Sequence, residues 1–258
     1  MTGKELKAKL KSGEAVIGTM VSELRTPQVG QIMANAGFDF MYIDMEHSPL
    51  NMETVADMIL GAKYAGIPTI VRTPGIDRCA LARPLDSGAD GVLCPQTETR
   101  EQVENIVAWT KYYPLGQRGM ALSRAHSRYR SVKAQEYCPE ANDSTVVVIQ
   151  IESKNAIATL DQLVSVEGVD AAFIGPADLS QTYGLPGQAN DPQIVEDLHK
   201  FIKICQDHDV VPGIHVYNPT DLRRWYDAGM RLFAMRNDIS MLSGAAAQAV
   251  AESRAALE

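Results

Sequence analysis

Glu152 and Asp178 end two consecutive apolar runs, VVVIQIES (146–153) and DAAFIGPADLS (170–180). A β-branched run that stops in a carboxylate makes a poor packing device, because an unpaired buried charge is costly. Two such ends on neighbouring parallel strands bring two hard oxygen ligands together, which is what a divalent cation requires. An ion held by only two protein carboxylates keeps positions for water and substrate, as magnesium does and manganese can. A 2-oxo acid such as pyruvate fills two of those positions. The metal then stabilises the enolate left when the neighbouring carbon–carbon bond breaks. Arg72, near the end of PTIVRT, offers a fixed cation to that oxyanion. His47 follows Asp44 and Glu46 in IDMEH. Its residue type suits proton transfer near neutrality, and Asp44 is placed to orient it. The turn Gly175-Pro176-Ala177-Asp178 can aim successive backbone N–H groups at a carboxylate. Together these parts describe a reversible aldol cleavage.

Each residue also has a plainer role open to it. Glu152 and Asp178 can cap the helices that follow them, and His47 can cap the one after Ser48-Pro49. Arg72 can pair with a barrel acid, while Asp44 and Glu46 can be simple ion-pair partners, Glu46 lying behind the reacting groups. His215, Arg236, Arg124 and His126 read as solvated or interface residues, and Tyr42 and Gln96 as barrel filling.

The elements that must position these residues alternate along the chain. Strand patterns cover 15–22, 38–46, 68–73, 91–96, 146–152, 171–178, 211–217 and 231–237. Helical patterns lie near 26–36, 52–65, 77–87, 99–111, 154–164, 191–208, 219–228 and 240–256. Eight strand–helix units in about 250 residues predict an α/β fold, one (β/α)8 TIM barrel spanning 1–258, with its chemistry at the C-terminal strand ends. An open doubly wound sheet is the alternative, weakened because no Gly-rich loop follows the first strand. Period two stacks Gln150 and Glu152 above Val146 and Val148, and Tyr42 with Asp44 and Glu46. It also stacks Ala172, Ile174, Pro176 and Asp178. The phrase small-Gly-x-Asp (AGFD, SGAD, EGVD) marks helix-to-strand turns, with Gly37, Gly88, Gly168 and Gly229 closing the helices. Residues 112–145 break the rhythm. They are rich in Arg, Tyr and Ser and too long for a plain connection, so a functional or interface loop is expected there.

The net charge of −8 argues against a nucleic-acid surface but leaves an acidic substrate open. No apolar run approaches a membrane span, and the start MTGKELKAKLKSGEA is unlike a secretory signal. The four cysteines, Cys79, Cys94, Cys138 and Cys205, lack paired ligand spacing and read as reduced residues of a cytoplasmic protein.

The blocks AGFDFMYIDMEH, IVRTPG, RPLDSGADGVLCPQT, YYPLGQRG, VIQIES and VEGVDAAFIGPADLS resemble the metal-dependent pyruvate aldolases of the HpcH/HpaI group. That group includes 4-hydroxy-2-oxoheptanedioate and 2-dehydro-3-deoxyglucarate aldolases. The resemblance implies a barrel of the phosphoenolpyruvate/pyruvate type. It also implies a class II lyase that splits a 4-hydroxy-2-oxo acid into pyruvate and an aldehyde through a metal-bound pyruvate enolate. Glu152 and Asp178 would bind the divalent ion, Mg2+ or Mn2+, and Arg72 would hold the enolate. His47 with Asp44 would form the base dyad. Gln150 and the backbone near Ala177 would contact pyruvate, and Asp86 would lie just behind these groups. The family's hexamers, trimers of dimers that exchange the last helix, imply a homo-oligomer. Three departures stand out. RGMALSRAHSRY lacks a second glycine soon after Arg-Gly, His215 stands where relatives commonly carry leucine, and Met235-Arg236-Asn237-Asp238 replaces a Gly-containing strand end. These put the aldehyde acceptor in question, with the Arg-rich loop 118–130 and His215 expected to take an acidic or hydroxylated one or to hold a subunit contact. Rival activities are a Schiff-base aldolase using Lys154, a citrate-lyase-type enzyme acting on a CoA thioester, and a non-catalytic barrel that binds an oxo acid.

Overall fold

The computed structural model describes residues 1–257, in which eight parallel strands close into a barrel in sequence order. They are β1 (Val16–Val21), β2 (Phe40–Asp44), β3 (Thr69–Arg72), β4 (Gly91–Cys94), β5 (Val146–Ile151), β6 (Ala171–Ile174), β7 (Val211–Val216) and β8 (Leu232–Asn237). Each begins and ends within a few residues of its predicted pattern. Alternate residues from the strands fill the interior: Val16, Phe40, Ile70, Leu93, Val146, Val148, Phe173 and Leu232 form one buried cluster. The opposite parity packs outward under the helices, as Val147, Ile149 and Ile151 do. Gly213 makes room in this interior, since a Cβ there would lie 2.9 Å from Phe173.

The predicted helices appear as α2 (Val29–Asn35), α3 (Met52–Ala65), α4 (Arg78–Asp86), α5 (Arg100–Thr110), α10 (Pro192–Asp207), α11 (Pro219–Ala228) and α12 (Asp238–Ala255). Local sequence explains their ends. Asn51 accepts from the Thr54 N–H at the start of α3, and Gly66 closes it at φ 72°. The single helix expected over 154–164 is two, α7 (Lys154–Ala158) and α8 (Leu160–Val164), broken at Thr159.

Three helices were not foreseen. α1 (Gly3–Lys11) opens on a capping box between Thr2 and Glu5 and buries Leu6 and Leu10 against the barrel interior, stoppering its N-terminal end. Asp39, Asp90 and Asp170, the aspartates of the repeated turn, lock this base. They accept from N–H groups at the strand starts, those of Ile17, Thr69 and Val147, and they hold Lys9, the Gly3 N–H and Lys7 of α1. α6 (Ala134–Ser144) lies inside the 112–145 interval, which joins α5 to β5 and therefore sits at the base rather than beside the strand C-termini. α9 (Pro176–Thr182) starts directly after β6, with proline at its first position. That helix corrects the expected stacking in strand six: Ala171 and Phe173 face inward, while Ala172 and Ile174 pack outward. Asp178 stands in the first turn of α9, not on a continued strand.

α12 touches the barrel through its first turns, and every described residue from Leu242 onward is exposed. No helix among the described residues is long and apolar enough to cross a membrane.

Candidate active site

The interior parity that fills the barrel continues upward into a cavity of about 320 Å3 at the strand C-termini. Tyr42 and Asp44 reach it from β2, Arg72 from β3, Gln150 from β5, Phe173 from β6 and His215 from β7. The turn Gly175–Asp178 and His47 complete this side, and Ser22 and Asn237 face them from β1 and β8. Asp238 fixes the Ser22 loop by accepting the N–H groups of Ser22, Glu23 and Leu24.

Arg72 is the most constrained side chain of the site. Its Nε and Nη2 donate to the two oxygens of Asp44, each at 2.8 Å, and Nη1 lies 3.2 Å from Glu46 Oε2. Burial alone would lower its pKa, but the Asp44 hydrogen bonds, with Tyr42 and Glu46 nearby, raise it and keep the guanidinium charged. This clamp corrects the expected dyad. Both Asp44 oxygens face Arg72, so the His47 ring does not pair with them. Only the His47 backbone N–H approaches Asp44, at 3.5 Å, while its exposed Nε2 lies 3.7 Å from Glu46 Oε2.

Glu152 is 5% exposed and forms no ion pair with a cationic side chain among the described residues. It accepts the Gln96 N–H at 2.6 Å and the Gln150 side-chain amide. Burial pushes its carboxyl pKa up; the Gln96 bond opposes this, and the negative charges of Glu46 and Asp178 add to it. Glu46 is also raised, by burial first, with Arg72 and His47 pulling the other way. Two acidic neighbours thus oppose the ionisation of Glu152, an arrangement that a cation would relieve. No group of three or more His, Cys, Asp or Glu side chains is gathered tightly enough to cage a metal among the described residues. Glu152 and Asp178 are hard oxygen donors, the donor type that would suit an open, two-carboxylate site. Gly175 lies close beside them: a Cβ there would come within 2.8 Å of both Glu152 Oε2 and Gln150 Nε2, so those side-chain ends would have to shift.

Two expectations about neighbouring residues are overturned. Gln96 does not fill the barrel: it is exposed, in the left-handed region at φ 51°, and its side chain donates to Glu46 Oε1 at 3.3 Å. Within this chain Asp86 stands apart from Glu152 and Asp178. It lies at the end of α4 and pairs with Arg118 at 2.6 Å, in the groove near Arg124 and Tyr129. The Arg-rich segment 118–130 accordingly lies away from the cavity within this chain. Lys154 is exposed at the start of α7, with its Nζ 5.3 Å from the centre of the Tyr183 ring, and does not line the cavity.

Sequence reasoning undervalued Tyr42 and His215. The Tyr42 hydroxyl and His215 Nδ1 are 3.0 Å apart inside the barrel, and Tyr217 stacks on the imidazole. Both residues have inward parity next to residues already singled out, which was the available signal.

The family model for HpcH/HpaI aldolase/citrate lyase matches residues 19–241. A hydroxypyruvate/pyruvate aldolase of Roseobacter denitrificans is 35% identical over 238 residues, 92% of this chain and 91% of that protein. A 4-hydroxy-2-oxo-heptane-1,7-dioate aldolase of Escherichia coli is 35% identical over 243 residues, 93% of this chain and 91% of that protein. The crystal structure of an HpcH/HpaI aldolase from Desulfitobacterium hafniense DCB-2 superposes with a TM-score of 0.92 at 31% identity, covering 96% of each chain. The chain belongs to the HpcH/HpaI aldolase/citrate lyase family.

Proposed function

We propose that this barrel is a class II aldolase that reversibly splits a 4-hydroxy-2-oxo acid into pyruvate and an aldehyde. The observation that carries the proposal is Glu152: a buried carboxylate with acidic neighbours and, among the described residues, no cationic side-chain partner, at the same end of the barrel as the clamped Arg72. Glu152 and Asp178 would hold a divalent ion, Mg2+ or Mn2+, which when bound supplies Lewis acidity to the substrate's carboxylate and keto oxygens.

The rest of the chemistry falls to the chain. The Gln150 amide and the N–H groups at the start of α9 bind and orient the pyruvate half. Arg72, immobilised by Asp44 and Glu46, presents a fixed positive charge to the oxygen that becomes negative as the C3–C4 bond breaks. His47 Nε2 takes the proton of the C4 hydroxyl. The bond's electrons pass to the C2–C3 unit, and protonation at C3 gives pyruvate. Glu46 is the carboxylate placed to stabilise the imidazolium, whereas Asp44 positions Arg72.

The same proposal carries a cytoplasmic homo-oligomer, a hexamer built as a trimer of dimers with the last helix exchanged. The exposed length of α12 supports it. Pyruvate release from a 4-hydroxy-2-oxo acid should stop on chelation and return with Mg2+ or Mn2+, and Glu152→Ala should not respond to either ion. Full turnover by thoroughly chelated protein overturns the proposal.

A further inference from the structure

The cavity is divided by charge. Asp44, Glu46, Arg72, Glu152 and Asp178 all belong to β2, β3, β5 and the start of α9. The opposite wall, from β7, β8 and β1, presents Met20, Ser22, His215, Tyr217 and Asn237. Among the described residues it offers no acid, lysine or arginine to the cavity. Arg236 is adjacent in sequence but exposed, with its Nε donating to the Tyr217 carbonyl at 3.0 Å.

This uncharged wall carries unused hydrogen-bonding groups. Tyr42 sits among Phe40, Ile70 and Phe173, and its hydroxyl has His215 Nδ1 as its one hydrogen-bond partner among the described residues. In the tautomer in which the Tyr42 hydroxyl donates to Nδ1, the neutral ring keeps its own proton on Nε2. His215 is 9% exposed, and its Nε2 has no hydrogen-bond partner among the described residues. Asn237 lines the cavity and uses its side-chain oxygen to cap α12 at Ser240 N, 2.7 Å away, while its NH2 group makes no hydrogen bond among the described residues. Ser22 donates to Asp238 and so offers its hydroxyl oxygen as an acceptor.

Donors and an acceptor side by side match a hydroxyl group, which does both. A carboxylate would fare badly. Four acids and one arginine converge on the other half, so a divalent ion and the single carboxylate of pyruvate still leave that half negative. No counterion waits on the uncharged wall. A plain alkyl chain would leave the donors unsatisfied.

We propose that the β7–β8–β1 wall is the acceptor subsite and that it selects short, uncharged, hydroxylated aldehydes, read by His215 and Asn237. The proposal rests on the aldolase activity and names its second substrate class.

The test uses the full chain with Mn2+ and pyruvate. Hydrogen–deuterium exchange at the pyruvate methyl group, followed by NMR without aldehyde, reports the enolate half alone. Aldol addition is then measured with glycolaldehyde, propanal, glyoxylate and succinic semialdehyde. The expected result is exchange, with glycolaldehyde showing the highest kcat/KM, by about tenfold. His215→Leu, and separately Asn237→Ser, which keeps a helix cap, should cut the glycolaldehyde-to-propanal ratio of kcat/KM about tenfold. His215→Gln, which restores a donor, should recover part of it. Exchange accompanied by preference for a carboxylated aldehyde overturns the subsite, as does a ratio that neither variant moves. Absence of exchange removes the aldolase reading and the subsite with it.

Discussion

His215 owes its protonation state to its surroundings. Burial, then the nearby Arg72 cation, push its pKa down from 6.5 to about 4, with the Arg236 carbonyl and Asp44 opposing them. The folded protein thus refuses a proton that the unfolded chain accepts. The resulting stability is intact above the unfolded value of 6.5 and is lost as the pH falls from there toward about 4. Its size is on the order of 3 kcal/mol. The groups facing the ring are Tyr42, Tyr217, Arg72 and Asp44. Denaturant titrations of His215→Gln should show a shallower loss of stability across that window than the unaltered protein; identical slopes would refute this origin of the acid sensitivity. Residue types and strand parity were enough to single out Asp44, Arg72, Gln150 and Glu152 from the sequence. They could not say which acid faces the His47 ring, because that ring lies beyond the strand, and Arg72 decides the matter by taking both Asp44 oxygens. Gln96 escaped for a related reason: its part depends on a left-handed turn that pattern alone does not reveal.

At the scale of elements, the junction of β6 with α9 governs the site. Gly175 has an ordinary backbone conformation, φ −93°, so an added methyl group would act through contact alone. Gly175→Ala should displace Glu152 and Gln150, lowering kcat and Mn2+ affinity by about tenfold or more with little change in melting temperature. Unaltered metal binding by calorimetry would contradict the crowding seen here. The eight strands and most helices were readable because each follows a sustained period of two or of about 3.6. The exceptions occur where the period changes abruptly. At Pro176 a strand pattern gives way to a helix, and counting in twos past Ile174 placed the wrong residues inside. α1 was legible through Thr2 and Glu5, whose spacing is that of a capping box. α6 was masked by the irregular composition of the segment around it.

For the molecule as a whole, α12 carries the clearest sign of association. Leu242 and Val250 are 56% and 53% exposed on a helix that leaves the barrel after its first turns. Light scattering should therefore give a mass six times that of one chain, and removal of residues 242–258 should dissociate the assembly. A monomer at micromolar concentration would defeat this expectation. Leu6 and Leu10 have a separate, kinetic consequence. Because they close the far end beneath packed layers of side chains, substrate and products share the mouth at the strand C-termini. Accumulated aldehyde or pyruvate then obstructs the other's exit, and progress curves should slow well before equilibrium is reached.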